Sequence, residues 1–241
     1  MNRAMYAAAS GMAAQQTNLE IIADNLANAD VAGFKGAAAS FTDVNAGGSL
    51  GLGTASLGRH PIFEQGKLMK SGGPFDLAID GAGFFCVEKN GSAAYTRAGE
   101  FARTADGKLQ NADGWTLHGV RIPANAIGAS VERDGRVFID TATAQHRAIA
   151  RIELGTFRAP EGLRPLGGTL FAQTITSGPA HRFTPGDGRA TIAFGMLEKS
   201  NVSIVESMMQ ILTAQRAYEA NAKGVQAADE MLRIANNLHR S

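Results

Sequence analysis

A seven-residue repeat near the C-terminal end constrains this chain more than any other feature. Ile204, Ile211, Tyr218, Val225 and Leu232 recur every seven residues, with Met208, Ala214, Ala222 and Ala228 at adjoining positions. That apolar period marks an α-helix packed along another helix. Ser200, Asn201 or Ser203 supplies a cap, and Glu206 follows Ser203 at capping-box spacing. The pattern predicts a helix over about 198–239, roughly 55–60 Å long at 1.5 Å per residue. So long a helix needs a long partner.

A candidate partner stands at the other end, and the two helices can pair with each other, with copies in neighbouring subunits, or with both. Over about 2–30, Met5, Met12, Leu19 and Leu26 are spaced by seven, and Ala8, Gln15 and Ile22 each follow by three. Asn25, Asn28, Asp30 and Gly33 then bring helix-stopping and turn chemistry. Alanines at 4, 7, 8 and 9, and at 214, 217, 220 and 222, permit close helix approach.

Between the helical ends the signal is of strands and tight turns. Asn90-Gly91, Asp106-Gly107, Asp113-Gly114 and Asp134-Gly135 separate short apolar runs, as two-residue hairpins require. Phe84-Phe85-Cys86-Val87 before Asn90-Gly91, with Tyr95 after it, makes one hairpin; Val131–Asp134 with Arg136–Ile139 makes another. The fold class expected is α+β: long N- and C-terminal helices paired in a coiled-coil-like manner, enclosing a central all-β domain. The expected division is 1–40 for the first helix and turn, and 41–61 for a Gly-rich linker containing Gly47, Gly48, Gly51 and Gly53. The β domain then takes 62–195 and the second helix 196–241.

Charge and chemistry narrow the function. Lys and Arg number 23 against 22 Asp and Glu, a net charge of +1 with no basic run, so nothing draws nucleic acid or an anionic membrane. No stretch reaches the ~20 apolar residues of a membrane span, and the alanine-rich N-terminus reads as a retained helix without a cleavage site. Cys86 is the single cysteine, in the apolar run Gly83–Val87, and reads as core packing. His60, His118, His146, His181 and His239 are not at metal-ligand spacing. Asp76 and Asp80 fall on one side of a strand but read as turn and edge carboxylates. Gly81-Ala82-Gly83 lacks the rest of a phosphate loop, and Ser10-Gly11 is no nucleophile elbow. No catalytic, cofactor-binding or metal residue is expected, and no enzyme.

Four pieces in order carry a resemblance. Ala8–Met12, Gln15–Leu19, Asn25–Asn28 and Gly33-Phe34-Lys35 resemble the N-terminal signature of flagellar rod and hook proteins. Asp80–Phe85 and Tyr95–Phe101 are similar to central segments of that family. Ser200-Asn201-Val202 with Ala214–Glu219 and Asn221-Ala222-Lys223 resembles its C-terminal signature. Ala214–Glu219 leans towards the distal rod members, whereas residues 41–60 are shorter than their extended stretch after the first helix. The resemblance implies a basal-body rod subunit whose terminal helices form an inner tube, with the β domain outward. It also implies self-assembly, other rod and hook proteins as partners, and passage unfolded through the flagellar export apparatus without a cleaved signal.

The residues expected to carry assembly are Met5, Met12, Leu19, Ile22, Leu26, Asn28, Phe34, Ile204, Met208, Ile211, Tyr218, Val225 and Leu232. For Tyr218 a hydroxyl bond across an inter-subunit contact stands beside plain helix packing. For Phe34 an anchor on a neighbour stands beside one in its own domain. The alternative function is a β-domain ligand-binding module on a closed coiled-coil stalk.

Overall fold

The computed structural model describes residues 3–44, 53–142 and 144–238. Gly47, Gly48, Gly51 and His239, singled out in the sequence, lie outside the described residues. The chain is α+β and forms two compact units. Unit 1 draws on Met1–Ala29, Ala37–Ile62 and Val202–Ser241; unit 2 draws on Asp30–Gly36 and Phe63–Asn201.

Unit 1 holds both helices, α1 (Arg3–Ala27) and α2 (Ile204–Leu238). Ser203 caps α2, accepting a bond from the Glu206 amide at 3.4 Å on its hydroxyl. The two helices pack side by side and antiparallel: Gly11 lies against Asn221, and Ala8 against Gly224. On α2 the inward stripe is Ser207, Ala214 and Ala228, with Asn221 half-buried between them. Small residues at this spacing let the backbones approach closely; a Cβ on Gly11 would stand 2.9 Å from the Asn221 amide nitrogen. Large side chains flank that seam instead of filling it. At 100° per residue, Ile211, Tyr218 and Val225 sit roughly 40–60° off the small-residue stripe.

Unit 1 also contains a hairpin where a linker was expected. Ala37–Asp43 pairs antiparallel with Thr54–Pro61, with an irregularity between Ser40 and Phe41. Residues 41–43 and 54–61 are therefore strands, laid on α1 by polar bonds that the glycine count did not reveal. Asn25 brackets Ala37, donating to its carbonyl at 2.8 Å and accepting from its amide at 2.9 Å. Ser10 donates to Ala7 O at 2.9 Å and accepts from the Thr54 amide at 3.0 Å. Arg59 pairs with Asp24 at 2.7 Å. Residues 30–36, placed with the first helix by the sequence, belong to unit 2.

Unit 2 is built of antiparallel strands around Phe84–Lys89. That strand pairs with Ser92–Thr96 on one side, and with Leu154–Thr156 and Thr116–Arg121 on the other. The Asn90-Gly91 turn has positive φ at both residues, 51° and 80°, the conformation that suits a two-residue hairpin. Gly128–Val131, Arg136–Asp140 and Arg147–Arg151 form a separate three-stranded sheet. Leu77–Gly81 pairs with Ala190–Phe194, and Leu68–Lys70 with Met196–Glu198. The core centres on Leu77, Ile79, Phe85, Leu109, Ile152 and Ile192. A smaller aromatic cluster joins Phe84, Tyr95, Phe157 and Phe171 through edge-on contacts.

Candidate functional site

In unit 1 the helix pair presents the surface of interest. Ile22 is buried in the chain's own packing, and Met5, Met12, Leu19, Leu26, Asn28, Ile211 and Val225 are half-buried. Ile204, Met208, Tyr218 and Leu232 are exposed. Phe34, in unit 2, is buried there, which favours the anchor in its own domain. Sequence reasoning missed the most exposed apolar residues of α2, namely Val205 (70%), Met209 (65%), Leu212 (57%) and Met231 (60%), together with Ile234. Val205, Met209 and Leu212 lie opposite the small-residue seam. Their i, i+4, i+7 spacing was visible in the sequence but overshadowed by the stronger repeat beside it.

The two helices differ in reach. At 1.5 Å per residue α1 spans about 37 Å and α2 about 52 Å. With Ala8 opposite Gly224, the start of α1 falls opposite residue 229. About two turns of α2 extend past it, carrying Met231, Leu232 and Ile234, all exposed. Ala228 is buried, and each of residues 229–234 is exposed.

Unit 2 contains a polar cluster that the sequence did not announce. Lys35 Nζ donates to Glu198 Oε1 at 2.5 Å and to Glu64 O at 2.6 Å. Arg97 Nη1 donates to Glu198 Oε2 at 3.2 Å, and Nη2 to Gly81 O at 2.7 Å. The Gly66 amide donates to Glu198 Oε1 at 2.8 Å, and the Gly33 amide to Glu198 O at 2.7 Å. Lys35, Arg97 and Glu198 are all buried. Burial pulls the Lys35 ammonium and the Arg97 guanidinium below their ordinary values, while Glu198 pushes both back up. Two glycines permit the approach: a Cβ on Gly66 would stand 1.9 Å from Lys199 O, and Gly33 has φ +69°. The one available clue was that Lys35 follows the apolar Phe34 in its quoted motif.

Asp76 is buried and bonded to the Ser71 hydroxyl, while Asp80 is exposed beside Gln65. His118 faces Glu88 and Arg182, His146 stacks on Phe138, and His60 meets Ser40. Among the described residues no group of three His, Cys, Asp or Glu is placed to hold a metal, and no helix is long and apolar enough to cross a membrane.

Family descriptions match the chain in order. "Flagella basal body rod protein" covers residues 5–35, "Flagellar hook protein FlgE/F/G D1 domain" covers 78–139, and "Flagellar basal body rod FlgEFG protein C-terminal" covers 194–238. The flagellar basal-body rod protein FlgG of Borreliella burgdorferi is 38% identical over 265 residues, spanning 100% of both chains. The chain belongs to the FlgG family of flagellar basal-body rod proteins. FlgG of Caulobacter vibrioides is 35% identical over 263 residues (98% of this chain, 99% of that one). FlgF of the same organism is 31% identical over 250 residues (98% and 97%). Those values agree with the distal leaning of Ala214–Glu219. Membership in the FlgG family makes the chain a structural subunit of the flagellar basal-body rod and not an enzyme.

Proposed function

We propose that this rod subunit assembles by packing its helix pair against copies of itself, through the face of α2 turned away from α1. The exposed row Val205, Met209 and Leu212 carries this reading, supported by the apolar overhang of α2 at Met231, Leu232 and Ile234. Apolar side chains set in line on one helix face gain about 25 cal/mol per Å² when a neighbour covers them. Contacts between unlike patches whose rotation does not close on itself build a helical tube by repetition, and long helices within it resist twisting and transmit torque. In this reading the helices pair in a coiled-coil-like manner, line the tube and carry the β unit outward. The subunit meets other rod and hook proteins at its two ends. It reaches the growing tip unfolded through the export apparatus, with no cleaved signal peptide. Tyr218, exposed beside the seam, adds a hydroxyl at the edge of the inter-subunit contact.

The test is Leu212→Asp. Leu212 is 57% exposed, so the purified subunit keeps its helical content while basal bodies lose the rod. Normal rods built from Leu212→Asp subunits would remove this face from the interface. Leu26→Asp and Ile211→Asp, at half-buried positions, also block assembly but loosen the subunit's own packing as well.

A further inference from the structure

We infer that the Lys35–Glu198–Arg97 cluster is a charged latch, two cations on one carboxylate, that holds three separate stretches of chain onto unit 2 and releases them together, without unfolding the β core. The chain passes between the two units at 29/30, 36/37, 62/63 and 201/202. The cluster draws its bonds from the residues beside all four passages: Gly33 and Lys35, Glu64 and Gly66, and Glu198. Asn201 adds to it, accepting from the Gly36 amide at 2.8 Å and donating to Glu64 O at 3.3 Å.

Neither apolar cluster of unit 2 takes a residue from 30–36, 64–70 or 195–201. The short ladder of Leu68–Lys70 with Met196–Glu198 stands apart from the larger sheets. Phe34 is the one large apolar side chain buried from these stretches, and it lies outside both clusters. Segments held mainly by polar bonds belong to the low-stability end of a fold and open below the global unfolding free energy. The charge count sets the character of the latch. One carboxylate faces two cations, and Arg97 Nε is buried with no hydrogen-bond partner among the described residues. Neutralising Glu198 leaves two buried cations opposed, whereas removing the Lys35 charge leaves a balanced Arg97–Glu198 pair. A buried charge left without its partner is the costly case.

Amide hydrogen exchange on the purified full chain tests this. The amides of Gly33, Gly36, Gly66 and Lys199 share one opening reaction. The amides of Ile122, Ile152 and Ile192, bonded within the core at 2.7, 2.8 and 2.9 Å, report the core. Glu198→Gln keeps the side-chain shape and speeds the first group at least tenfold, leaving the second unchanged. Lys35→Met speeds the first group less. Combined with Glu198→Gln it slows exchange back towards the wild-type rate, because one of the two opposed cations is gone. Three results would overturn the latch. They are latch amides unaffected by Glu198→Gln, core amides accelerated in equal proportion, or Lys35→Met and Glu198→Gln adding without rescue. None depends on rod assembly, so the latch and the assembly face fail separately.

Discussion

Gly224→Ala is expected to strengthen unit 1, and its sign tests the helix register directly. Gly224 lies inside α2, where glycine costs about 1 kcal/mol relative to alanine. Its φ is not in the positive range, and an added Cβ meets only the Ala8 Cβ, at 3.8 Å, an ordinary van der Waals separation. The helix gain is therefore kept, at about 1 kcal/mol. Unit 1 should melt some 4–8 °C higher, as such a change does in a domain of 60–100 residues. Gly11→Ala is the internal control. Its Cβ would stand 2.9 Å from the Asn221 amide, which must swing aside, so the same gain is largely offset to within about 0.5 kcal/mol. The assay is denaturant unfolding followed by the far-ultraviolet helix signal. Trp115, the only tryptophan, reports unit 2 in parallel and should not move. A destabilised Gly224→Ala, or one no better than Gly11→Ala, would mean that Ala8 and Gly224 are not opposed as described.

Other expectations follow from single contacts. Gly99→Ala places a Cβ 1.6 Å from Leu77 O, on a residue whose own amide already donates to Gly99 O at 2.9 Å, so urea unfolding should show a loss of about 3 kcal/mol or more. Gly91→Ala meets open space and only the strain of φ +80°, so the same measurement should show a loss of about 1 kcal/mol. Asn25→Ala removes both bonds to Ala37 and should cost unit 1 about 1–3 kcal/mol in the helix-signal unfolding curve. Burial pushes the Cys86 thiol up to about 11 from 9.0, so a thiol reagent at neutral pH should label it only after unfolding. Above pH 9 the unfolded chain gives up this proton first. Stability should then fall by about 2–3 kcal/mol between pH 9 and 11, a loss that Cys86→Ala abolishes.

The elements that the sequence made legible were those specified locally. The four dipeptides read as tight turns, at 90–91, 106–107, 113–114 and 134–135, all have positive φ at their glycine, because the turn itself demands that backbone and few other residues supply it. The two long helices were equally readable from their period. The hairpin of Ala37–Asp43 with Thr54–Pro61 was not, since Ser10, Asn25 and Asp24 hold it across gaps in the chain. The seam was legible only in part. A heptad of large residues is conspicuous in sequence, yet here Ser207, Ala214 and Ala228 do the close packing because small side chains bring two backbones together. Lys35, Arg97 and Glu198 were invisible as a group: they are separated by 62 and 101 residues, and charge pairing at such range leaves no periodic trace.

The two units interrupt one another along the chain, and this governs the order in which synthesis can complete them. Residues 30–36 are made early but wait for Glu198, which lies at the far end of unit 2. The apolar side of α1 waits longer still, because its partner is the last helix of the chain. Closing so long a loop is slow, so a nascent chain carries the α2-facing side of α1 uncovered until that helix is made. A chain cut after residue 201 contains every residue of unit 2 but lacks the helix that packs on α1.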